Sequence, residues 1–311
     1  MGLPRKLKRA LSQRLGREYA IRFRLLRSSL SLRSKLAERR ADALLISYPK
    51  CGRTWLTMLL ARSMASHAGL QDQDIDYLAT DILEGKSKDV PRIRISHDDN
   101  PHWKTAGTLA QSKRRYRNKK IILLVRDPRD VVISMYFERS RRERVYSGTL
   151  HEFLQEPRGS LDTILGYYNV WAREREQPLD FCLVRYEDLK ANAAGELKRI
   201  MRFSGLETIS DAHLEEAVQF ASFDSMRKME AGDVLKSGRL RARDPKDAES
   251  FKTRKGKVGG FVDYLSPEEI AWMERKIRET LDPSYGYGGP AARREIHATG
   301  PRNAPRLEAL P

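Results

Sequence analysis

Apolar residues in this chain gather in short unbroken runs separated by stretches of helix length. Ala43-Leu44-Leu45-Ile46-Ser47-Tyr48 ends at Pro49, and Ile121 to Val125 and Phe181 to Val184 repeat the pattern. Apolar runs without polar alternation mark strands covered on both faces, as in a parallel sheet. Between and after them, helical spacing runs over Trp55 to Ala65, Asp130 to Glu143, a segment ending near Met201, and Asp211 to Phe220. Ile93 to Ser96 adds a further strand-like segment. This alternation predicts an α/β fold, a parallel β-sheet flanked by helices on both faces in a single domain. Functional residues are then expected where strands hand over to helices, at the carboxyl edge of the sheet. The stretch Asp224 to Gly260 is polar, rich in Lys and Arg, and follows neither period. It is expected to be an irregular basic loop able to close over a charged ligand.

Composition narrows the class. With 40% apolar residues in 311, the chain can bury a full core, which excludes a disordered protein. Only Cys51 and Cys182 are available, so a disulfide framework is excluded and a reducing compartment is expected. No apolar run nears the roughly 20 residues of a spanning helix, and the basic start has no apolar signal core. A cytoplasmic protein is expected. Lys and Arg number 59 against 42 Asp and Glu, a net charge of +17. Residues 1–40 alone hold thirteen Lys/Arg and two acids, Glu18 and Glu38, so the excess belongs mainly to an arm. Leu3, Leu7, Leu11 and Leu15, then Phe23, Leu26 and Leu30, give that arm a basic amphipathic pattern. Such a helix can pack on the domain, lie peripherally on an anionic membrane, or bind nucleic acid. Nucleic acid is not expected, for want of a recognition motif, and position 6 lacks the Ser/Thr of a myristoylation signal. The glycines and prolines of residues 286–311 read as a loose tail. The expected organisation is therefore an arm over 1–40, a domain over 41–285 and a tail over 286–311.

Three segments look built for anions. Tyr48-Pro-Lys-Cys-Gly-Arg-Thr-Trp55 joins a strand to a helix, whose first turn points unpaired N–H groups outward. Gly52 permits close approach, Lys50 and Arg53 supply charge, and Thr54 a hydroxyl. The Walker pattern is absent, because the lysine precedes the glycine. Arg126-Asp-Pro-Arg-Asp130 follows the second strand, with Ser134 further along its helix; Arg126 can serve a phosphate or pair with Asp127 or Asp130. Arg254-Lys-Gly-Lys-Val-Gly-Gly260 alternates cations with residues that allow unusual backbone angles, the material of an anion nest.

Together with Tyr186-Glu-Asp-Leu189, these segments resemble cytosolic-type sulfotransferases in order and approximate interval, over roughly residues 42–285. The resemblance implies a P-loop-like α/β domain. It implies transfer of a sulfuryl group from 3′-phosphoadenosine 5′-phosphosulfate (PAPS) to a hydroxyl or amine, with no metal. Carried over by position, Lys50 and the backbone of Cys51, Gly52, Arg53, Thr54 and Trp55 would hold the 5′-phosphosulfate, with Lys50 also catalytic. Arg126, Ser134, Arg254, Lys255 and Gly256 would hold the 3′-phosphate. Trp55, Tyr186 and Ser222-Phe223 would contact adenine. His97 would be the catalytic base, with His102 as its rival; a near-neutral imidazole suits proton removal from an acceptor.

This chain departs from the family in places. Cys51 replaces the common serine, Arg53 a frequent threonine, and Ala221 a hydroxyl residue; the dimerisation pattern is not found near Phe261 to Glu269. An ATP-dependent nucleotide kinase is disfavoured by the missing Walker lysine. A nucleic-acid-binding protein acting through residues 1–40 is the alternative from another class. The acceptor is not legible.

Overall fold

The computed structural model describes residues 35–83, 85–235 and 240–288. Most of the basic arm and nearly all of the expected tail therefore lie outside the described residues. The chain divides after Ala41 into two compact units. In the first, residues 35–40 are helical. The second unit, from Asp42, holds the sheet.

Five strands form its sheet: β1 (Ala43–Ser47), β2 (Asp81–Ile82), β3 (Ile93–Ser96), β4 (Lys120–Val125) and β5 (Asp180–Arg185), in the order β2-β3-β1-β4-β5. All pairings are parallel except the short β2–β3 contact. Every residue of β1, and of β4 from Ile121, is buried. Since successive side chains point to opposite faces, both faces of the central sheet are covered. The cover is α1 (Arg53–His67), α2 (Pro128–Phe137), α3 (Leu150–Leu154), α4 (Leu161–Arg173), α5 (Tyr186–Ala191), α6 (Ala193–Phe203), α7 (Asp211–Phe220), α8 (Phe223–Ala231) and α9 (Pro267–Thr280). α1 packs with α7, and α2 with α4. This is the expected α/β architecture.

Register places the site. Ile46 is level with Ser96 and with Leu123, and Val125 with Arg185. The parallel strands therefore end together, and the loops that follow Ser47, Ser96, Val125 and Arg185 emerge on one edge. No helix among the described residues is long and apolar enough to cross a membrane.

Three expectations are revised. The helix read over Asp130 to Glu143 begins at Pro128 and gives way after Phe137 to a π-helical turn, Glu138–Arg142. The stretch from Asp224 contains α8, whose inward residues are Met226 and Glu230. A buried acid in place of an apolar residue breaks the periodicity that would have announced it. Packing also continues past Tyr285: Tyr287 is buried and donates to Glu187 Oε2 at 2.7 Å.

Candidate active site

The turn after β1 is shaped by two left-handed residues, Lys50 (φ 72°) and Gly52 (φ 92°). At Gly52 a Cβ would stand 2.6 Å from the Tyr186 ring, so the position excludes side chains on conformation and on space alike. Among the described residues no side chain caps the N-terminus of α1, and no acid lies in its first turn, which leaves an open anion-favouring end. Trp55, one turn in, meets the Tyr186 ring edge-on at 5.6 Å, and Lys190 Nζ lies 5.5 Å from the Trp55 ring centre. Cys51 turns inward. Its Sγ lies 3.2 Å from the Tyr168 hydroxyl, which donates to Arg126 O and accepts from Arg126 N. The single hydroxyl proton is thus committed, so the thiol is the donor to Tyr168. Burial pushes that thiol up to about 12, which keeps it unreactive.

The second and third cationic loops are joined by one carboxylate. Asp130 accepts from Gly259 N at 2.9 Å and Phe261 N at 3.0 Å, and pairs with Arg126 at 3.2 Å. Of the two partners open to Arg126, the structure gives Asp130; Asp127 instead caps α2 and holds Arg129 at 2.6 Å. Arg126 also donates to Lys257 O at 2.9 Å and stacks 4.4 Å above Tyr186. Its Nε is buried with no hydrogen-bond partner among the described residues, as is that of Arg254. Arg254 is oriented by Glu249 (3.1 Å), the Tyr264 hydroxyl and the Phe137 ring. Lys255 pairs with Asp263 at 3.0 Å. Gly256 (φ 59°) lies against Phe223, whose ring would be 2.6 Å from a Cβ there. Ser222 spends its hydroxyl on capping α8, through Ser225 N and Ser225 Oγ.

At the centre of the edge, Lys50 Nζ meets Glu138 Oε2 at 2.5 Å. Burial works against the Glu138 charge, but Lys50, Lys252 and Arg142 overcome it and hold the carboxyl at about 2. Burial, reinforced by Lys50, brings Lys252 down to about 8. His97 Nδ1 lies 2.9 Å from Ser47 O. A carbonyl only accepts, so Nδ1 carries the proton and Nε2 keeps its lone pair. Burial first, then Arg53, draws the His97 pKa down to about 3. His102, with ring centre 6.1 Å from that of His97, is lowered to about 4 by burial and Arg139. Between the two histidines, Asp98, Asp99 and Asn100 all have positive φ. Asp98 anchors them, buried against Lys113 Nζ and Arg115 at 2.7 Å each and the Tyr116 hydroxyl at 2.8 Å.

Comparison with known proteins gives this constellation its family. The sulfotransferase domain family matches residues 40–284. The chain belongs to the sulfotransferase family. Flavonol 3-sulfotransferase of Flaveria bidentis is 27% identical over 268 residues, covering 77% of this chain and 81% of that protein. Cytosolic sulfotransferase 16 of Arabidopsis thaliana is 28% identical over 273 residues, covering 78% and 76%. Mouse sulfotransferase SULT7A1, solved complexed with PAP, superposes with a TM-score of 0.55 at 20% identity, covering 84% of this chain and 90% of that one. It supports the same fold.

In this sulfotransferase, one cleft of about 1410 Å³, open mouth included, is lined by Lys50, Gly52, Arg53, Thr54, Trp55, His97, Arg126, Ser134, Tyr186, Phe223, Arg254, Lys255 and Gly256, with His102 beside them. Two expected residues are not among its walls: Cys51, expected to act through its backbone, whose side chain is buried behind the turn, and Ser222, turned to its cap. Sequence reasoning missed Glu138, Lys190, Lys252 and Thr253, which also line it. Glu138 follows Ser134 by four residues but stands on the π-helical turn, where α-helical spacing no longer assigns its face. Among the described residues, no group of His, Cys, Asp or Glu side chains converges as a metal site.

Proposed function

We propose that this sulfotransferase moves a sulfuryl group from PAPS to a hydroxyl or amine of a small-molecule, lipid or carbohydrate acceptor, with His97 as general base. One observation carries the reading: three cationic turns, far apart in sequence, converge on a cleft that also holds a neutral imidazole with its Nε2 lone pair available. The donor set fits a doubly anionic nucleotide. The uncapped α1 terminus and Lys50 stand at one place, and the unpartnered Nε atoms of Arg126 and Arg254 supply buried donors.

In this reading His97 Nε2 accepts the proton of the acceptor as its oxygen or nitrogen bonds to sulfur. Lys50 hydrogen-bonds the phosphate oxygen that takes the electron pair of the breaking S–O bond. The α1 amides and Thr54 hold the phosphosulfate, while Arg126, Ser134 and the 254–256 segment hold the 3′-phosphate. Trp55, Tyr186 and Phe223 offer ring faces to adenine. Such transfer needs positioning and charge neutralisation more than covalent help. The flavonol enzyme's name supports a hydroxylated acceptor, and relatives named cytosolic support a cytoplasmic location. The membrane-surface role open to residues 1–40 rests on sequence alone, and nucleic acid is not proposed as a partner.

Isothermal titration tests the donor. Binding of 3′,5′-bisphosphoadenosine much tighter than ADP supports the reading, and preference for ATP with magnesium overturns it. A screen of acceptors with labelled PAPS then identifies the second substrate.

A further inference from the structure

A carboxylate at the heart of a cationic site needs a reason. Glu138 stands on the π-helical turn that replaces the end of α2, and such turns redirect side chains relative to a continuous α-helix. It places an anionic oxygen 2.5 Å from Lys50 Nζ, at a position that an oxygen of an anionic ligand would otherwise take. Both side chains are largely shielded, 11% exposed for Lys50 and 18% for Glu138, so the contact is not a solvated surface pair. A second cation is already in place: Arg142 Nε lies 3.3 Å from the same Oε2 atom. Arg142 is itself fixed by Glu230 at 3.2 Å and Ser250 O at 2.8 Å. Glu230 in turn accepts from Lys252 N and Thr253 N, in the loop that leads to Arg254.

We propose that Glu138 is a positioning residue that occupies Lys50 as an internal anion and yields it to the 5′-phosphosulfate end of the donor, withdrawing onto Arg142. The inference rests on the sulfotransferase reading above. Its consequence is a discrimination between ligands. Breaking a shielded ion pair opposes binding of any ligand that claims Lys50, whereas the 3′-phosphate end, served by other loops, is indifferent to it. Glu138 also keeps the Lys50–Lys252–Arg142 group from being a standing trap for small anions.

The test uses the full chain and measures PAPS and 3′,5′-bisphosphoadenosine binding by titration, in wild type, Glu138→Gln, Glu138→Asp, Lys50→Met and the Lys50→Met/Glu138→Gln double variant. Glu138→Gln is expected to tighten PAPS about tenfold and bisphosphoadenosine to a similar degree, since both present a 5′-phosphate oxygen to Lys50. Glu138→Asp, which keeps the charge, should return PAPS affinity toward wild type. In the Lys50→Met background the Gln substitution should have no effect. KM for PAPS should fall in Glu138→Gln without a matching rise in kcat. Melting temperatures check that each variant is folded; should Glu138→Gln fail to fold, the Asp variant and the Lys50→Met comparison with inorganic sulfate as competitor decide. Equal affinity of folded wild type and Glu138→Gln for PAPS, or the same gain with Lys50 absent, overturns the inference. Failure of wild type to bind either nucleotide overturns the sulfotransferase reading instead.

Discussion

Lys50 and His97 carry opposite electrostatic problems. In the proposed mechanism Lys50 delivers a full positive charge to a departing phosphate oxygen, and its removal at saturating donor should cut turnover by about 10²–10³, the usual cost of one preorganised donor. Near-normal kcat for Lys50→Ala would take Lys50 out of the transition state. As the proposed base His97 must be neutral to accept a proton, and burial with Arg53 nearby draws its pKa to about 3. For activity the sign is simple: the imidazole fails as a base only where it is protonated, so kcat/KM, which reports the free enzyme, should show no His97 titration down to about pH 5. A low pKa also means a weak base. Anionic donor beside Arg53 and Lys252 offsets the cations that depress it, so the pKa seen in kcat should lie above that in kcat/KM. Coincident profiles for kcat and kcat/KM would contradict this coupling. His97→Ala should lose about 10²–10⁴ in kcat, and His102→Ala far less; the reverse order would make His102 the base.

Two glycines set the shapes of the donor loops, and they can be told apart. Gly52 and Gly256 both have positive φ, and a Cβ on either would stand 2.6 Å from an aromatic ring, that of Tyr186 or Phe223. Gly52→Ala should weaken adenosine 5′-phosphosulfate and bisphosphoadenosine together, because the β1–α1 turn serves the end they share. Gly256→Ala should weaken chiefly the ligand that carries a 3′-phosphate. Each should also cost about 1–3 kcal/mol of stability, readable as a lower denaturation midpoint. Parallel losses for both ligands in Gly256→Ala would remove the 254–256 segment from the 3′-phosphate. The Gly52 turn was legible in sequence because an unbroken apolar run fixes β1 and the cationic glycine turn sits at its end, and the Gly256 turn because its cations alternate with glycines. Other parts were hidden for physical reasons. Glu138 carries the charge opposite to the one a search for phosphate-binding residues seeks. Glu230 puts a buried carboxylate on the inner face of α8, so that helix has no apolar stripe to read. Ser222 matched a binding pattern in sequence yet serves as an ordinary N-cap, a role the same residue type favours.

Over the whole molecule, buried polar side chains bind the catalytic edge together across long sequence separations. Tyr168 joins the Cys51 turn to Arg126, Asp130 joins α2 to the glycine-rich loop, and Glu187 joins the Asp127 amide to the Tyr287 hydroxyl. Glu187 makes this arrangement pH-dependent. Burial first, with Asp127 adding repulsion, raises its pKa from 4.5 to about 7, even though it accepts two hydrogen bonds. Between these values the folded protein holds a proton that the unfolded chain has released. Folding therefore binds protons, and the Glu187 contribution to stability falls as pH rises from about 4.5 to about 7. His97 and His102 act the other way: their folded pKa values lie below the unfolded one, so their contribution is lost as pH falls through about 6.5 and below. A wild-type stability profile mixes the two trends, but the difference between wild type and Glu187→Gln isolates one of them. Gln is uncharged at every pH and keeps an oxygen for the Asp127 amide. Relative to wild type, its melting temperature should rise steadily from pH 4.5 to pH 7 and level off above. A difference that stays constant across that window would mean that Glu187 is ionised in the folded protein throughout it, held so by the Asp127 amide and the Tyr287 hydroxyl.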